Sequence, residues 1–127
     1  MDAGGNQYCW YAHLILVVDD NSSLREALLA VLESDGREAF GASDGKAAIA
    51  YTREHPVALL ITDLIMPGQE GMETIRQFVK EFPRIPIIAI SGNPKYLSFA
   101  QVLGAAAILT KPIGRADLLQ TLRNLID

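Results

Sequence analysis

Three carboxylates, a hydroxyl and an ammonium stand in this chain where apolar runs break off. LILVV, Leu14 to Val18, stops at Asp19 and Asp20; ALLIT, Ala58 to Thr62, stops at Asp63. IIAI stops at Ser91, and AILT stops at Lys111. If these runs are parallel strands of one open α/β sheet, their C-terminal ends share an edge, where such sheets bind ligands. Acids and a lysine gathered there suit a divalent cation and a phosphoryl group. Magnesium takes one or two carboxylates together with water and phosphate oxygens, and lysine holds phosphate as a point charge.

Each residue taken singly has a plainer account. A lone aspartate at a strand end is as much at home capping a turn as binding a ligand. For Asp63 the following Leu-Ile-Met-Pro-Gly shifts that balance, because Pro67 and Gly68 predict a turn that leaves the carboxylate accessible. Adjacent acids such as Asp19 and Asp20 repel one another, and a hard cation would relieve that repulsion. Serines at strand ends usually bond the backbone, and single lysines are usually solvated. A carboxylate behind four apolar residues is costly unless donors or a cation meet it.

The elements that must position these groups alternate short apolar runs with helical spacing, the pattern of βα units around a parallel sheet. The first helix follows Asp20, with Ser23 and Glu26 as a capping box, an apolar stripe of Leu24, Leu28, Val31 and Leu32, and an end at Gly36. A second strand, around Glu38 to Gly41, has only Ala39 and Phe40 as apolar content. Ser43 or Asp44 caps a second helix running to about Glu54. A third helix buries Met72, Ile75, Phe78, Val79 and Phe82. Lys95 to Leu103 form a fourth, ended by Gly104. Strand five is Ala106 to Leu109, and Ala116 to Ile126 form the fifth helix, carrying Leu118, Leu119, Leu122, Leu125 and Ile126. Five βα units thus fill residues 13–127 as a single domain, with residues 1–12 an extension or a remnant of expression.

Composition narrows the function. The 127 residues carry a net charge of −4 and are half hydrophobic, as in an ordinary globular domain with no basic footprint for nucleic acid. One cysteine, Cys9, rules out an internal disulfide. No apolar run nears the ~20 residues of a membrane span, and the first dozen residues do not read as a signal peptide; the expected location is cytoplasmic. GASDGK, residues 41–46, misses the phosphate-loop spacing. His13 and His55 are far from metal-ligand spacing. Tyr8, Trp10 and Tyr11 suggest packing or a remnant of expression, not a functional cluster.

Taken in order, Asp19-Asp20, Asp63 in DLIMPG, Ser91-Gly92 and Lys111-Pro112 resemble the receiver domain of two-component response regulators from residue 13 onward. The resemblance implies a doubly wound, flavodoxin-like fold with strand order 2-1-3-4-5, and a cis bond before Pro112. It implies that Asp63 accepts a phosphoryl group from a phosphohistidine on a sensor kinase or histidine phosphotransfer protein. Asp20 would ligate Mg2+ directly, Asp19 through water, with Asp63 and the backbone carbonyl of Ile65 as further ligands. Lys111 and the Ser91 hydroxyl would hold the phosphoryl oxygens. Output, to an unknown domain or target, would pass through the face of helices four and five. Tyr96, Phe99 and Val102 on helix four are either part of that partner or homodimer surface or part of the core.

Two departures stand out. Ile108 occupies the position where relatives carry an aromatic switch residue, so the switch is either reduced or runs without ring rotation. Ile65 is apolar where many relatives carry a polar side chain that orients water, which implies slow loss of the phosphoryl group. Two other readings compete. A haloacid-dehalogenase-type phosphatase would carry a second acid where Ile65 stands, and a degenerate receiver would act only as a binding module.

Overall fold

The computed structural model describes residues 13–65 and 70–126. In order these form β1 (Leu14–Val18), α1 (Ser22–Ser34), β2 (Ala39–Ala42), α2 (Gly45–Glu54), β3 (Val57–Asp63), α3 (Glu70–Glu81), β4 (Ile87–Ser91), α4 (Pro94–Leu103), β5 (Ala107–Thr110) and α5 (Arg115–Ile126). All neighbouring strands are parallel, in the order β2-β1-β3-β4-β5. The expected doubly wound α/β sheet is present. The sequence segments 1–12 and Met66-Pro67-Gly68 lie outside the described residues.

The apolar runs are continuous because helices cover both faces of the sheet. Successive side chains still alternate. Leu16, Val18, Leu60, Ile87 and Ala89 join one core with Ile49 of α2, Ile75 and Phe78 of α3 and Leu97 of α4. Ile15, Val17, Leu59, Ile61, Ile88 and Ile90 join the other, with Leu28 and Leu32 of α1 and Leu118 and Leu122 of α5. Every central strand therefore serves two cores, and its polar residues are confined to its ends.

Several local expectations change. The N-cap of α1 is Asn21, whose side chain accepts from the Leu24 amide at 3.1 Å. Ser23 and Glu26 form no capping box, because the helix already begins at Ser22 and a side-chain amide oxygen is a strong cap one residue earlier. Asp44, not Ser43, caps α2 by accepting from Ala47 at 2.8 Å. β2 lies one residue later than expected, over Ala39–Ala42, and β5 covers Ala107–Thr110.

On α3, Val79 is exposed, while Thr74 takes the buried place beside Ile75 and Phe78. Positions 71, 74, 75 and 78 follow the i, i+3, i+4, i+7 spacing of one helix face, and 79, at i+8, lies on its margin, where it meets solvent. Gly36 and Gly104 do end their helices, with φ of +80° and +122°. On the edge strand β2, Phe40 stacks on Tyr51 at 4.3 Å, and Tyr51 stacks on His55 at 4.0 Å. This aromatic column shields a strand that has little apolar content of its own.

Candidate functional site

The strand order reverses between β1 and β3, since β2 lies on the far side of β1. That switch point opens a crevice at the C-terminal ends of the strands. Register decides what fills it. Val18 pairs with Thr62, so Asp19 and Asp63, the next residues, emerge side by side. Ser91 ends β4 opposite Thr110, and the amide of Lys111 donates to the Ser91 carbonyl at 2.9 Å. One strand-end layer thereby collects all the chemical residues singled out above.

The geometry is that of a charged cluster short of partners. Asp19 and Ser91 are fully buried, Asp63 is 3% exposed, and Asp20 faces solvent. One oxygen from each of Asp19, Asp20 and Asp63 lies within 4.8 Å of the others. Lys111 Nζ sits 3.2 Å from Asp63 Oδ1 and 3.8 Å from Asp19 Oδ2. Neither oxygen receives a hydrogen bond. The ammonium is near enough to Asp63 to attract by charge, but its direction does not satisfy the lone pairs.

Asp19 Oδ1 is better served, accepting from the Asn21 amide at 3.0 Å. Burial nevertheless pushes the Asp19 carboxyl above the usual carboxylate range, and the charges of Asp63 and Asp20 push the same way. The Asn21 amide and Lys111 offset only part of this. Two orphaned buried oxygens and a third, exposed carboxylate make a donor set that fits a hard, oxygen-seeking cation.

Ser91 Oγ accepts from the Asn93 amide at 3.0 Å. A hydroxyl used as an acceptor keeps its hydrogen free to donate. The Lys111–Pro112 bond is cis, as the resemblance implied.

Two positioning residues escaped the sequence reading. A Cβ on Gly71 would lie 2.4 Å from the Asp63 carbonyl oxygen and 2.5 Å from Leu64 Cα. Only glycine lets the first turn of α3 pack on the backbone that carries Asp63. A glycine eight residues after an acid is a weak signal, since any loop accommodates one. Arg25 donates to the Asp19 carbonyl at 2.7 Å, tying α1 to the end of β1. Six residues of separation across a strand–helix turn hide that contact from pattern reading.

The residues around the departures are also placed. Ile108 is half-buried and packs against the core shared with α2, α3 and α4. Ile65 is 52% exposed beside the acid cluster. Tyr96, Phe99 and Val102 are exposed, not core. With Leu64, Ile65 and Met72 they flank a groove of about 380 Å³ between α3 and α4.

Comparison with known proteins agrees with the geometry. The sequence profile of the response regulator receiver domain matches residues 15–123. The chain belongs to the receiver domain family. It is 31% identical over 112 residues to Protein PilH of Pseudomonas aeruginosa, covering 85% of this chain and 93% of that protein. It is 36% identical over 110 residues to the CAI-1 autoinducer sensor kinase/phosphatase CqsS of Vibrio cholerae, covering 83% of this chain but 16% of the kinase. Many of its relatives are thus longer proteins; it spans 51% of the transcriptional regulatory protein PhoP of Escherichia coli. The receiver domain of NtrX from Brucella abortus superposes with a TM-score of 0.84 at 27% identity, over 88% of this chain and 97% of that one. Chemotaxis protein CheY4 of Vibrio cholerae superposes with a TM-score of 0.82 at 27% identity, over 90% and 98%. Among the described residues of this receiver, no helix is long and apolar enough to cross a membrane.

Proposed function

We propose that residues 13–127 form a phosphoacceptor domain in which Asp63 takes a phosphoryl group from a phosphohistidine of a sensor kinase or histidine phosphotransfer protein. The observation that carries this reading is the buried Asp63 carboxylate, with one oxygen facing Lys111 and no hydrogen-bond donor, inside a cluster of three acids at the switch point. An Asp63 oxygen attacks phosphorus as the P–N bond of the donor breaks; the electron pair leaves with the imidazole, and an acyl phosphate forms. Lys111 and the Ser91 hydroxyl hold the phosphoryl oxygens, and Lys111 exchanges part of its attraction for Asp63 for the new dianion.

Asp20, Asp63 and the Ile65 carbonyl would hold Mg2+, with Asp19 behind them through water. The ion would supply the positive charge that a phosphoryl group needs to approach three acids. Phosphoryl transfer demands positioning and charge neutralisation more than covalent machinery, which is what these side chains offer. The protein is on this reading a signalling domain that promotes only its own phosphorylation and dephosphorylation. Residues 1–12 lie outside this domain, as an extension or a remnant of expression. Output leaves through the face of α4 and α5, where the exposed Tyr96, Phe99 and Val102 of α4 offer a surface to a partner, an output domain or a second copy.

Incubation with acetyl phosphate and Mg2+, followed by intact mass, tests the reading. A single retained phosphoryl group that disappears in Asp63→Asn supports it. Turnover of acetyl phosphate without retention points to a phosphatase. The absence of both retention and turnover points to a binding module.

A further inference from the structure

The two acids at the end of β1 are held by different means. Asp19 is fully buried and tied through its amide, its side chain and its carbonyl. The amide donates to the Ala42 carbonyl of β2 at 3.2 Å, and Oδ1 accepts from the Asn21 amide at 3.0 Å. The carbonyl accepts from the Arg25 guanidinium at 2.7 Å. Asp20 is exposed, and its carboxylate takes part in no hydrogen bond or ion pair among the described residues. Its place beside Asp19 and Asp63 therefore follows from the backbone that carries it. The Asp19 carbonyl belongs to the planar peptide that joins the two acids. Whatever fixes that carbonyl fixes the direction in which the chain enters Asp20.

Arg25, half-buried on α1, reaches the carbonyl along a cleared path. Its stem crosses Gly41 of β2, where an added Cβ would stand 3.0 Å from Arg25 Cδ and 3.2 Å from Cγ. Leu29 Cδ1 would be equally near, at 3.0 Å. Gly41 does not share the positive φ of Gly36 and Gly104. The missing side chain thus serves the stems that pass over it, not a special backbone conformation. A charged donor on a carbonyl is also a stronger tether than a neutral one.

We propose that Arg25 is a positioning residue for the cation site: by holding the Asp19 carbonyl it aims the Asp20 carboxylate into the acid cluster. The inference rests on the metal reading above and deepens it. Groups that hold a metal ligand without touching the ion set affinity by roughly 10–100-fold. Charge alone argues the other way. A guanidinium near three acids opposes a second cation, so on that ground its removal would strengthen Mg2+ binding. Positioning and charge predict opposite signs, and the sign decides between them.

Titration of the full 127-residue protein with Mg2+, followed by the amide shifts of residues 19–21 and 63–65, reads the affinity. Thermal unfolding without metal reads the fold separately. The Arg25→Ala protein should bind Mg2+ about tenfold more weakly or worse, with the metal-free spectrum of the strands in place. Arg25→Lys keeps a stem and a charge but not the planar fork, and should recover part of the loss. Gly41→Ala should weaken binding by a smaller factor, and by nothing further in the Arg25→Ala background, where no stem remains to be displaced.

Unchanged or tighter Mg2+ binding in Arg25→Ala would overturn the proposal and leave the metal reading standing. A Gly41→Ala effect of the same size in both backgrounds would overturn it too, since the glycine would then act without Arg25. If Arg25→Ala does not fold, Gly41→Ala decides alone, and parental affinity there overturns the proposal. No Mg2+ response in the unmodified protein would remove the metal reading and this inference together.

Discussion

The two edges of one sheet are built on opposite terms. At the C-terminal edge, Asp19, Asp63 and Ser91 are buried, one oxygen of each acid lacks a donor, and Lys111 is shared between the two. At the N-terminal edge, the ionic contact between Arg53 and Glu81 is bidentate and solvated, and apolar walls surround it. The same strands end in both places, so the contrast does not come from the fold. It comes from where charge is placed: like charges in a dry crevice lower stability and raise affinity for a cation, whereas a matched pair in water changes little.

Perturbing the two edges should give unequal effects. Asp63→Asn should abolish phosphoryl retention altogether, read by intact mass, while leaving the fold in place. Gly71→Ala should cost about 1–3 kcal/mol, because the new methyl meets backbone and not a yielding side chain. Chemical denaturation measures that loss, and phosphorylation should slow in parallel as the Asp63 backbone shifts. A Gly71→Ala protein of unchanged stability would mean α3 is not seated against the acceptor strand.

Asp19→Asn should move stability the other way in the absence of metal. Its carboxyl is held above the usual range mainly by burial, so the folded state pays for its ionisation at neutral pH. Removing the charge should raise the unfolding midpoint by a few degrees, roughly what 1 kcal/mol does in a chain of this size. The same variant should lose much of the stabilisation that Mg2+ gives the parent. If Asp19→Asn lowers the midpoint, the crowding of acids is not what limits this edge.

Ile65→Asn tests the rim of the same site. A polar group there should speed loss of the phosphoryl group severalfold, followed by mass over time, and should leave thermal unfolding unchanged because Ile65 is half in solvent. The smallest effect is expected at the other edge. Arg53→Ala removes an exposed ion pair, and neither the unfolding midpoint nor phosphoryl uptake should change measurably.

Much of this layout is legible in the sequence alone. Four apolar runs ending in polar residues were enough to place the strands and the shared edge, because a parallel strand buried on both faces can carry polar groups only at its ends. Helix ends at Gly36 and Gly104 were legible for a similar reason: a positive φ favours glycine. The cap of α1 was not. Asn21, Ser23 and Glu26 all bear capping groups, and only the observed start of the helix at Ser22 separates them.

The chain alone thus determined the α/β class, the ingredients of the acid cluster and their order, since these follow from residue type and period. Tertiary structure decided how the ingredients meet. Register put Asp19 beside Asp63, burial left their oxygens without donors, and the approach of α3 required Gly71. It also decided that Tyr96, Phe99 and Val102 face outward while Ile108 is half-buried. Each of these depends on segments distant in sequence coming within a few ångströms, which no local pattern of residues encodes.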